Sequence, residues 1–444
     1  MRVLVISHGH PAFSIGGAEI ASHNLFQGLN HLPGCEAYYL ARAAHPLKRH
    51  RHTPLMSLRQ SEREAFLFCD DYEHFWVSNG ATSDLAGAFR RFVEDVRPDV
   101  VHFHHVLGLG VEALFAVRKA LPGVPIVVTF HEYLSICLNH GQMVKTSKNR
   151  LCSRATPAEC GACFPTISPA EIFKRELFLK SHLGIADCYV SPSHFLIDRY
   201  VKWGLPAEKF RMLENGLEAF TPAPPRELPP NGRRGRFGFF GQVTEFKGLP
   251  VLLDAVGRVP DEVWGDDAAL CIFGGNLESQ PEAFQKRFNE LVEKVGRRAK
   301  FYGAYRSDEM PNLMKQVDWV VVPSIWWENS PLVIQEAFAH GRPLIASDIG
   351  GMAEKIAHDV NGLHFRVASA EDLADRLTQA LTTPGLWDRL RAAAPRPITY
   401  REAAEQHLDL YRELIARRDV PAAVDEAPKP PRRKRDPRKA KLAA

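Results

Sequence analysis

Short apolar runs alternate with longer amphipathic segments through the first half of the chain. The runs are rich in β-branched residues and are bounded by turn residues. We predict strands at Val3–Ser7, Val100–His104, Ile126–His131 and Cys188–Ser191. Between two of these runs, Asp84–Val96 has apolar residues at the spacing of a helix with one buried face. This alternation predicts right-handed βαβ units on a parallel sheet.

A proline-rich stretch separates this first domain, residues 1–216, from a second half with the same alternation. Five prolines lie within residues 221–230, which predicts a semi-rigid linker over residues 217–235. We then expect a second α/β domain, residues 236–395, and a helix, residues 396–418, that packs back on the first domain. The predicted strands of the second domain are Phe237–Phe240, Leu270–Phe273, Lys300–Gly303, Trp319–Pro323, Leu344–Ser347 and Gly362–Phe365. Ligands of such sheets bind at the carboxyl ends of the strands, so we expect the site in the cleft between the domains.

One strand–loop–helix segment of the second domain concentrates the candidate chemistry. Ser330 is suited to cap a helix, Pro331 to begin it and Gly341 to end it. The backbone N–H groups of Ser330, Leu332 and Val333 would then form an anion site at the helix N-terminus.

Two glutamates eight residues apart flank this predicted helix start. Glu328 lies in the loop before the helix, and Glu336 lies one to two turns inside it. Such a pair means little on its own. In this context, a loop carboxylate can accept hydrogen bonds from sugar hydroxyls, and a helix carboxylate can hold a ribose diol. Phosphates would then lie at the N–H groups between them.

The run Val320–Phe365 resembles the family 4 retaining glycosyltransferases. The similarity comprises the Glu-x7-Glu segment, the following Gly341-Arg-Pro-Leu-Ile-Ala-Ser-Asp-Ile-Gly-Gly-Met-Ala-Glu and then Asn-Gly-Leu, and the family pattern covers most of residues 1–415. The resemblance implies the GT-B fold, in which two Rossmann-like α/β domains face each other across a cleft. It also implies that Glu328 contacts the donor sugar near the reacting centre and that Glu336 binds the nucleotide ribose.

A second segment, which begins at Phe239, resembles the donor-phosphate segment of the family. The family carries an arginine and a lysine there, which neutralise the leaving diphosphate. Lys247 matches the lysine, whereas Gln242 stands where the arginine is usual. A neutral amide can form hydrogen bonds but cannot balance charge. Arg306 is a candidate for a compensating cation.

The first domain is expected to supply the facing side of the cleft. Gly16 and Gly17 open a helix after the first strand and allow close approach of the backbone to a ligand, although paired glycines are also typical of a plain turn. The family has a similar loop there. His131 matches the family's histidine that contacts the donor sugar, the alternative being a side chain that caps local backbone. Glu214-Asn-Gly, before the linker, also resembles the family.

The resemblance predicts transfer of a sugar from a nucleotide-diphosphate sugar to a hydroxyl acceptor, with retention, in the synthesis of a cell-surface glycan, polysaccharide or glycolipid. No Asp-x-Asp pair occurs in the chain, which argues against the metal-dependent single-domain glycosyltransferases, and we expect no catalytic metal. Two alternatives stay open. One is a catalytically impaired nucleotide-sugar-binding module, which Gln242 favours, and the other is an epimerase or phosphorylase on the same scaffold.

Four of the eight cysteines cluster in an insert over about residues 137–166. They are Cys137, Cys152, Cys160 and Cys163, with the spacing C-x14-C-x7-C-x2-C. The C-x2-C end is typical of a metal site, and a polar excursion of this length needs a cross-link to stay ordered. We expect structural zinc, with an iron–sulfur cluster as the alternative and unliganded thiols as the third option.

Composition and charge favour a cytoplasmic globular protein. The hydrophobic fraction is 45%, no apolar run approaches the ~18–20 residues of a membrane span, and the N-terminal stretch lacks the apolar core of a signal peptide. The net charge of +4 hides a basic tail, residues 419–444, which we expect to be disordered. It is either a solvated tail or a contact with an anionic membrane surface. A nucleic-acid contact is a weaker option, because the tail lacks aromatic residues for base stacking, and we expect no specific nucleic-acid partner.

A predicted helix from Ser168 to Leu183 bears on the acceptor. Ser168, Pro169 and Glu171 form a helix-start signature with a capping box. Its apolar residues are Ile172, Phe173, Leu177, Phe178 and Leu179. They favour core packing. The alternative is an interfacial helix that, with the basic tail, holds the protein on the inner membrane surface beside a glycan or lipid-linked sugar acceptor.

Overall fold

The fold is described from a computed structural model. It describes residues 1–14, 16–44, 47, 53–58, 61–79, 82–147, 150–219, 221–228 and 232–419. The predicted basic tail lies outside this part of the chain, apart from Asp419 at its start.

The first domain contains a sheet of eight strands in the order β12-β11-β8-β7-β1-β2-β4-β3. The strands of this domain, including two short hairpins, are β1 (Arg2–Ser7), β2 (Glu36–Ala43), β3 (Leu55–Ser57), β4 (Glu64–Phe68), β5 (Tyr72–Glu73), β6 (Ser78–Asn79), β7 (Val100–His104), β8 (Ile126–Thr129), β9 (Val144–Lys145), β10 (Arg150–Leu151), β11 (Cys188–Ser191) and β12 (Phe210–Met212). All pairs in the large sheet are parallel except β3 with β4. The predicted strand Ile126–His131 is two residues too long, so His131 lies just beyond the end of β8.

Alternate residues of β1 belong to two different cores. Leu4 and Ile6 pack on one face of the sheet, while Val3 and Val5 pack on the other. The helices of this domain are α1 (Gly17–Asn30), α2 (Thr82–Val96), α3 (Glu112–Ala120), α4 (Pro157–Cys163), α5 (Pro169–Leu183), α6 (His194–Trp203) and a 3-10 turn at Ala207–Lys209. Both faces of the sheet are therefore covered, as the near-continuous apolar strands predict.

The second domain has a six-stranded parallel sheet in the order β15-β14-β13-β16-β17-β18. Its strands are β13 (Arg236–Phe240), β14 (Ala269–Phe273), β15 (Ala299–Gly303), β16 (Trp319–Val322), β17 (Leu344–Ser347) and β18 (Gly362–Phe365). Its helices are α7 (Leu249–Arg258), α8 (Asp261–Trp264), α9 (Glu282–Val295), α10 (Met310–Met314), α11 (Leu332–Ala339), α12 (Gly350–Lys355), α13 (Ala370–Thr382) and α14 (Leu386–Ala392), with 3-10 turns at Glu245–Lys247, Gly296–Arg298 and Ser307–Glu309. The two α/β domains with parallel sheets confirm the predicted fold class.

The last described helix, α15 (Tyr400–Asp419), belongs to the core of the first domain. Ala404, Leu408 and Tyr411 are buried in the same cluster as Val3 and Val5. The chain thus crosses to the second domain and returns, so the two domains are joined at two places.

The fully buried guanidinium of Arg342 holds the linker to the second domain. It donates hydrogen bonds to the carbonyl oxygens of Ala223 at 3.2 Å and of Pro224 at 2.6 Å. This contact gives the proline-rich stretch a fixed path over its described residues.

Two surface features of the first domain matter for later argument. Helix α5 begins with the predicted capping box, and Ile172 and Leu179 pack in the interior, but Phe173 and Leu177 are 57% and 60% exposed. Within the described part of the chain, no helix combines the length and apolar character that crossing a bilayer requires.

Candidate functional site

Glu328 is a buried carboxylate in the loop that follows β16. Its Oε1 atom accepts hydrogen bonds from Lys247 Nζ at 2.7 Å, Ser324 Oγ at 2.7 Å and Trp326 Nε1 at 2.9 Å. The bond from Lys247 is also an ion pair, which makes it strong in this desolvated place. Glu328 Oε2 accepts no hydrogen bond from the described residues, so half of the carboxylate stays available to a ligand.

The Gly350–Gly351 pair fixes the position of this loop. The Gly351 N–H donates to the carbonyl oxygen of Glu328 at 2.7 Å. A Cβ atom on Gly351 would lie 1.4 Å from the carbonyl oxygen of Asn329, and one on Gly350 would lie 2.8 Å from that of Glu328. Only glycines allow α12 to begin this close to the loop, which explains the pair in the sequence motif.

The carboxyl group of Glu336 differs from that of Glu328 in having no hydrogen-bond partner among the described residues. It lies half-buried on α11, and desolvation raises its pKa to about 7. The neighbouring Tyr305 has a raised pKa, through desolvation first and the charge of Glu336 second. A desolvated carboxyl group without a hydrogen-bond partner is stabilised by any ligand hydroxyl that donates a hydrogen bond to it.

The first turn of α11 leaves backbone donors unused. The N–H of Ile334 donates to the carbonyl oxygen of Pro331 at 3.0 Å, and the N–H groups of Leu332 and Val333 precede it without an intrahelical acceptor. Gly341 follows the helix with a φ of +63°, as its predicted role as a helix stop requires.

The predicted cap of this helix is wrong by one residue. Pro331 occupies the cap position and α11 begins at Leu332, without a side-chain cap. The hydroxyl of Ser330 instead donates to Glu214 Oε1, in the first domain, at 2.9 Å. The Ser330 hydroxyl, which the sequence predicted to cap the helix, therefore binds Glu214 of the first domain instead.

The segment that begins at Phe239 places one of its two candidate residues in this cluster. Lys247 ends a 3-10 turn and reaches Glu328, as described above. The side chain of Gln242 is exposed in the loop after β13. Arg306 is also exposed, and its guanidinium is paired with Asp308 rather than with a member of this cluster.

The Glu328 loop also contacts the first domain directly. Asn329 Nδ2 donates to the carbonyl oxygen of His131 at 3.2 Å, and Asn329 Oδ1 accepts from the hydroxyl of Ser193. Glu214 receives a further ion pair from Lys355, at the end of α12. Sequence reasoning missed Ser193, Asn329 and Lys355, because nothing local in the chain indicates partners more than a hundred residues away.

His131 is half-buried and adjoins the buried imidazole of His104 at the carboxyl edge of the first sheet. Its Nε2 lies 3.1 Å from His104 Nδ1, and the two rings are stacked. Burial lowers the pKa of His131 to about 3 and that of His104 well below its ordinary value. His104 Nε2 is buried without a hydrogen-bond partner. These rings are neutral at pH 7.

Gly16 and Gly17 lie at the start of α1. A Cβ atom on Gly16 would lie 2.5 Å from Glu19 Oε2, because the Glu19 side chain folds back under the loop. A Cβ atom on Gly17 would meet no atom within 4 Å. A side chain at position 16 would therefore displace the Glu19 carboxylate, whereas the space beside Gly17 is open.

Another cluster in the first domain was not predicted. Glu64 Oε2 lies 2.8 Å from His10 Nε2 and 3.2 Å from His23 Nε2, and among the described residues these are the three that bring potential metal-ligating atoms within 4.8 Å of one another. The three residues come from a loop, α1 and β4, so no sequence spacing could have indicated the cluster.

The four predicted metal ligands of the insert surround one small cavity. The cavity has a volume of about 20 Å³, and its lining includes Cys137, Cys152, Cys160 and Cys163. All four are free cysteines.

Two family models match the chain on either side of the linker. Residues 15–219 match the model described as Glycosyltransferase Family 4, and residues 222–396 match the model described as Glycosyl transferases group 1. The two matches meet near the proline-rich stretch and together span most of the chain.

Curated relatives and solved structures agree with these matches. The chain is 26% identical over 323 residues to the D-inositol 3-phosphate glycosyltransferase of Corynebacterium aurimucosum, which covers 71% of this chain and 69% of the relative. A second such enzyme, from Corynebacterium urealyticum, is 29% identical over 211 residues, covering 45% of this chain and 49% of the relative. Other relatives are also matched over less than half of their length.

The structural similarity extends over nearly the whole chain. Sucrose-phosphate synthase from Thermosynechococcus elongatus superposes with a TM-score of 0.69 at 18% identity, covering 94% of this chain and 99% of that one. HepE of Anabaena, in complex with UDP and glucose, superposes with a TM-score of 0.63 at 18% identity, covering 93% and 100%. The chain is thus a glycosyltransferase of the GT-B fold, of the type that the group 1 and family 4 models describe.

Proposed function

We propose that the protein is a retaining transferase that binds a nucleotide-diphosphate sugar in the cleft, with the sugar at Glu328, the diphosphate at Lys247 and the ribose at Glu336. The observation that carries the proposal is the Glu328–Lys247 pair. One carboxylate oxygen is fixed by three donors and the other is free, so Glu328 is held in place yet able to accept hydrogen bonds from sugar hydroxyls. Lys247 adds a cation within hydrogen-bond distance of the same group.

The rest of the donor fits the second domain. HepE, which shares this fold, has been solved with UDP and with UDP-glucose, which supports a nucleotide sugar as the donor here. The unpartnered carboxyl of Glu336 suits a ribose diol. The N–H groups of Ser330, Leu332 and Val333 suit phosphate oxygens at a helix N-terminus. Gly17 and His131 would face the same ligand from the first domain.

The chemistry we propose is transfer with retention. The bond from the anomeric carbon to the diphosphate breaks while the acceptor hydroxyl approaches from the same face, through an oxocarbenium-like state. The proton of that hydroxyl passes to the leaving phosphate oxygen, which removes the need for a protein base. The protein then orients both partners and neutralises the developing charge on the diphosphate. Catalysis of this kind needs no metal ion, and we expect brief chelation to leave the rate unchanged.

Hydrolysis of a panel of nucleotide sugars tests the proposal. We expect slow release of the nucleoside diphosphate from at least one donor, and loss of that release in Glu328→Ala with folding intact. Unchanged release by the variant would remove Glu328 from the site.

A catalytically impaired binding module is the second candidate, and Gln242 is the observation that favours it. Without the usual arginine, the segment offers one cation to two phosphates. The same panel separates the two functions, because a binding module gives thermal stabilisation by a nucleotide sugar without any release of nucleoside diphosphate.

We further propose a membrane-linked acceptor and a position on the inner membrane surface. Phe173 and Leu177 are exposed on α5 beside the exposed Lys174, which is the composition of an interfacial helix face. The basic tail would add attraction to anionic lipid, at ~1 kcal/mol for each basic residue near the surface. A cytoplasmic enzyme held there would meet lipid-linked sugar acceptors of surface glycan synthesis.

Co-sedimentation with vesicles tests this placement. Full-length protein is expected to bind vesicles containing phosphatidylserine, with weaker binding by the chain that ends at Val420 and by Phe173→Ser/Leu177→Ser. Equal sedimentation of all three proteins with these vesicles would contradict a role for either feature.

A further inference from the structure

The cysteine insert, about residues 137–166, lies between β8 and α5 and has almost no apolar core of its own. Met143 and Val144 are the buried apolar side chains among its described residues from 139 to 166. Helix α4 buries none of its residues, although its start is capped by the Thr156 hydroxyl. A segment of this length with so little buried apolar surface needs a cross-link to hold one conformation.

The cysteines are placed where such a cross-link would act. Cys137 follows β8, Cys152 follows the β9–β10 hairpin, and Cys160 and Cys163 lie one turn apart on α4, where side chains at i and i+3 share a face. The four therefore come from three separate pieces of the insert, and all four line the same cavity.

The cavity suits a single ion. Its volume of about 20 Å³ is near the smallest that holds one water molecule. No three of the sulfur atoms all lie within 4.8 Å of one another, as the ligating atoms of His10, His23 and Glu64 do, so binding would draw them inward. Lys145 and Glu159 also line the cavity, and they form an ion pair with each other at 3.4 Å, so together they add no net charge beside the thiolates.

One ligand of this cavity is connected to the donor loop across the cleft. Trp327 Nε1 donates to the carbonyl oxygen of Cys152 at 2.9 Å. The guanidinium of Arg199 lies 4.8 Å from the centre of the Trp327 ring and donates to the carbonyl oxygen of Ser153. Trp327 is the residue before Glu328, so the backbone of the insert supports the loop that carries the carboxylate.

We propose that Cys137, Cys152, Cys160 and Cys163 bind one structural Zn²⁺ ion as thiolates, and that the zinc-held insert positions the Trp327–Glu328 loop across the interdomain cleft. Four thiols lose their protons on binding, and no redox step is involved. The positioning step rests on the proposed donor site, whereas the metal site does not.

Metal analysis of the tag-free, full-length protein tests the first part. We expect about one zinc and no iron per chain, as a closed four-thiolate site holds a single ion. Cys160→Ser and Cys163→Ser should each lose the zinc, while Cys35→Ser, a half-buried cysteine outside the insert, should keep it. Protein without zinc or iron would overturn the site. Iron with inorganic sulfide would overturn zinc as its occupant.

Hydrogen exchange tests the second part without any activity measurement. Zinc is removed from the wild-type protein with a mercurial, excess thiol strips the mercurial from the cysteines, and zinc is then restored to half of the sample, so no variant needs to fold. We expect faster amide exchange over residues 139–166 and over Trp326–Ser330 in the zinc-free half, with protection regained on restoration. Equal exchange at Trp326–Ser330 in both halves would overturn the positioning role.

Trp327→Phe then separates positioning from structure. The variant keeps an aromatic ring for Phe195 and Arg199 but lacks the Nε1 donor. We expect full zinc content and a rise in donor KM of roughly two- to tenfold, the effect of one hydrogen bond. Unchanged KM would contradict the contact with Cys152. If no nucleotide sugar is turned over, the proposed function has failed, while zinc content and exchange still decide the metal site and its coupling.

Discussion

The two domains share a parallel α/β design but present different chemistry at the cleft. The edge of the first sheet carries imidazoles that burial keeps neutral, with the pKa of His131 lowered to about 3. The edge of the second carries Glu328, Glu336 and Lys247. The second domain thus supplies Lys247, a cation for a charged donor. The first supplies neutral imidazoles and, beside Gly16, the Glu19 carboxylate, whose pKa is lowered to about 2 by hydrogen bonds from His8 and Ser14.

The largest fall in activity is expected for substitution of Glu328, whose carboxylate is held by three hydrogen bonds. Glu328→Gln keeps the size of the side chain but removes the charge that holds Lys247. We expect a roughly 100- to 1000-fold fall in kcat, the range for loss of one preorganised electrostatic group. Steady-state kinetics measure this, with Glu371→Gln, on the exposed surface of α13, as the matched control.

Removal of the Lys247 cation should lower the activity somewhat less than substitution of Glu328. Lys247→Met leaves the N–H groups of α11 to stabilise the diphosphate, so we expect a roughly 10- to 100-fold fall in kcat/KM. Lys247→Arg keeps the charge and should recover most of the rate. Equal losses in both variants would mean that geometry, rather than charge, is what Lys247 supplies.

In the second domain, Glu336 should make the free energy of unfolding fall as the pH rises. With a folded pKa of about 7 against an ordinary 4.5, Glu336 keeps a proton that the unfolded chain has lost. Its contribution therefore makes the free energy of unfolding fall as pH rises from about 4.5 to 7, and stay level above that. Glu336→Gln should remove this fall, so that the variant gains roughly 1–3 kcal/mol over wild type between pH 5 and pH 8. Urea unfolding of both proteins measures it, and parallel curves would contradict a desolvated carboxyl.

In the first domain, His131 should have the opposite effect and make the free energy of unfolding fall as the pH falls. The unfolded chain protonates His131 near pH 6.5, whereas the folded chain does so near 3. The contribution of this residue to stability is complete above pH 6.5 and is lost as the pH falls from about 6.5 to about 3. His131→Gln should therefore lose about 1–2 kcal/mol less than wild type between pH 7 and 5. Urea unfolding of both proteins at each pH measures this, and parallel curves would contradict a desolvated imidazole at position 131.

The smallest expected effect is a gain in activity, produced by Gln242→Arg. Gln242→Arg adds a second cation in the exposed loop after β13, and we expect kcat/KM to rise a few-fold, as for a partly solvated charge. Kinetics at low and high salt measure it, since screening should reduce the gain. A lower rate in Gln242→Arg would mean that the amide has a role of its own.

The sequence predicted what depends on local patterns. Strands such as Val100–His104 and Leu344–Ser347 have the bounds expected, because burial on both faces leaves a short apolar run with few other options. The capping box at Ser168 is also local, since both of its bonds lie within four residues.

Contacts across the cleft could not be predicted in this way. Ser330 is a good cap by residue type, yet its hydroxyl binds Glu214, 116 residues away. Asn329 reaches His131 over a separation of 198 residues. Such pairs depend on how the two domains are placed, which no run of neighbouring residues specifies.

The anomeric configuration of the sugar released from its donor tests the central claim most directly. Proton NMR would follow the wild-type protein with a nucleotide sugar from the panel, before the free sugar equilibrates. The first-formed sugar is expected to keep the configuration it had in the donor. An inverted product, or no consumption of any nucleotide sugar, would contradict a retaining transferase built around Glu328 and Lys247.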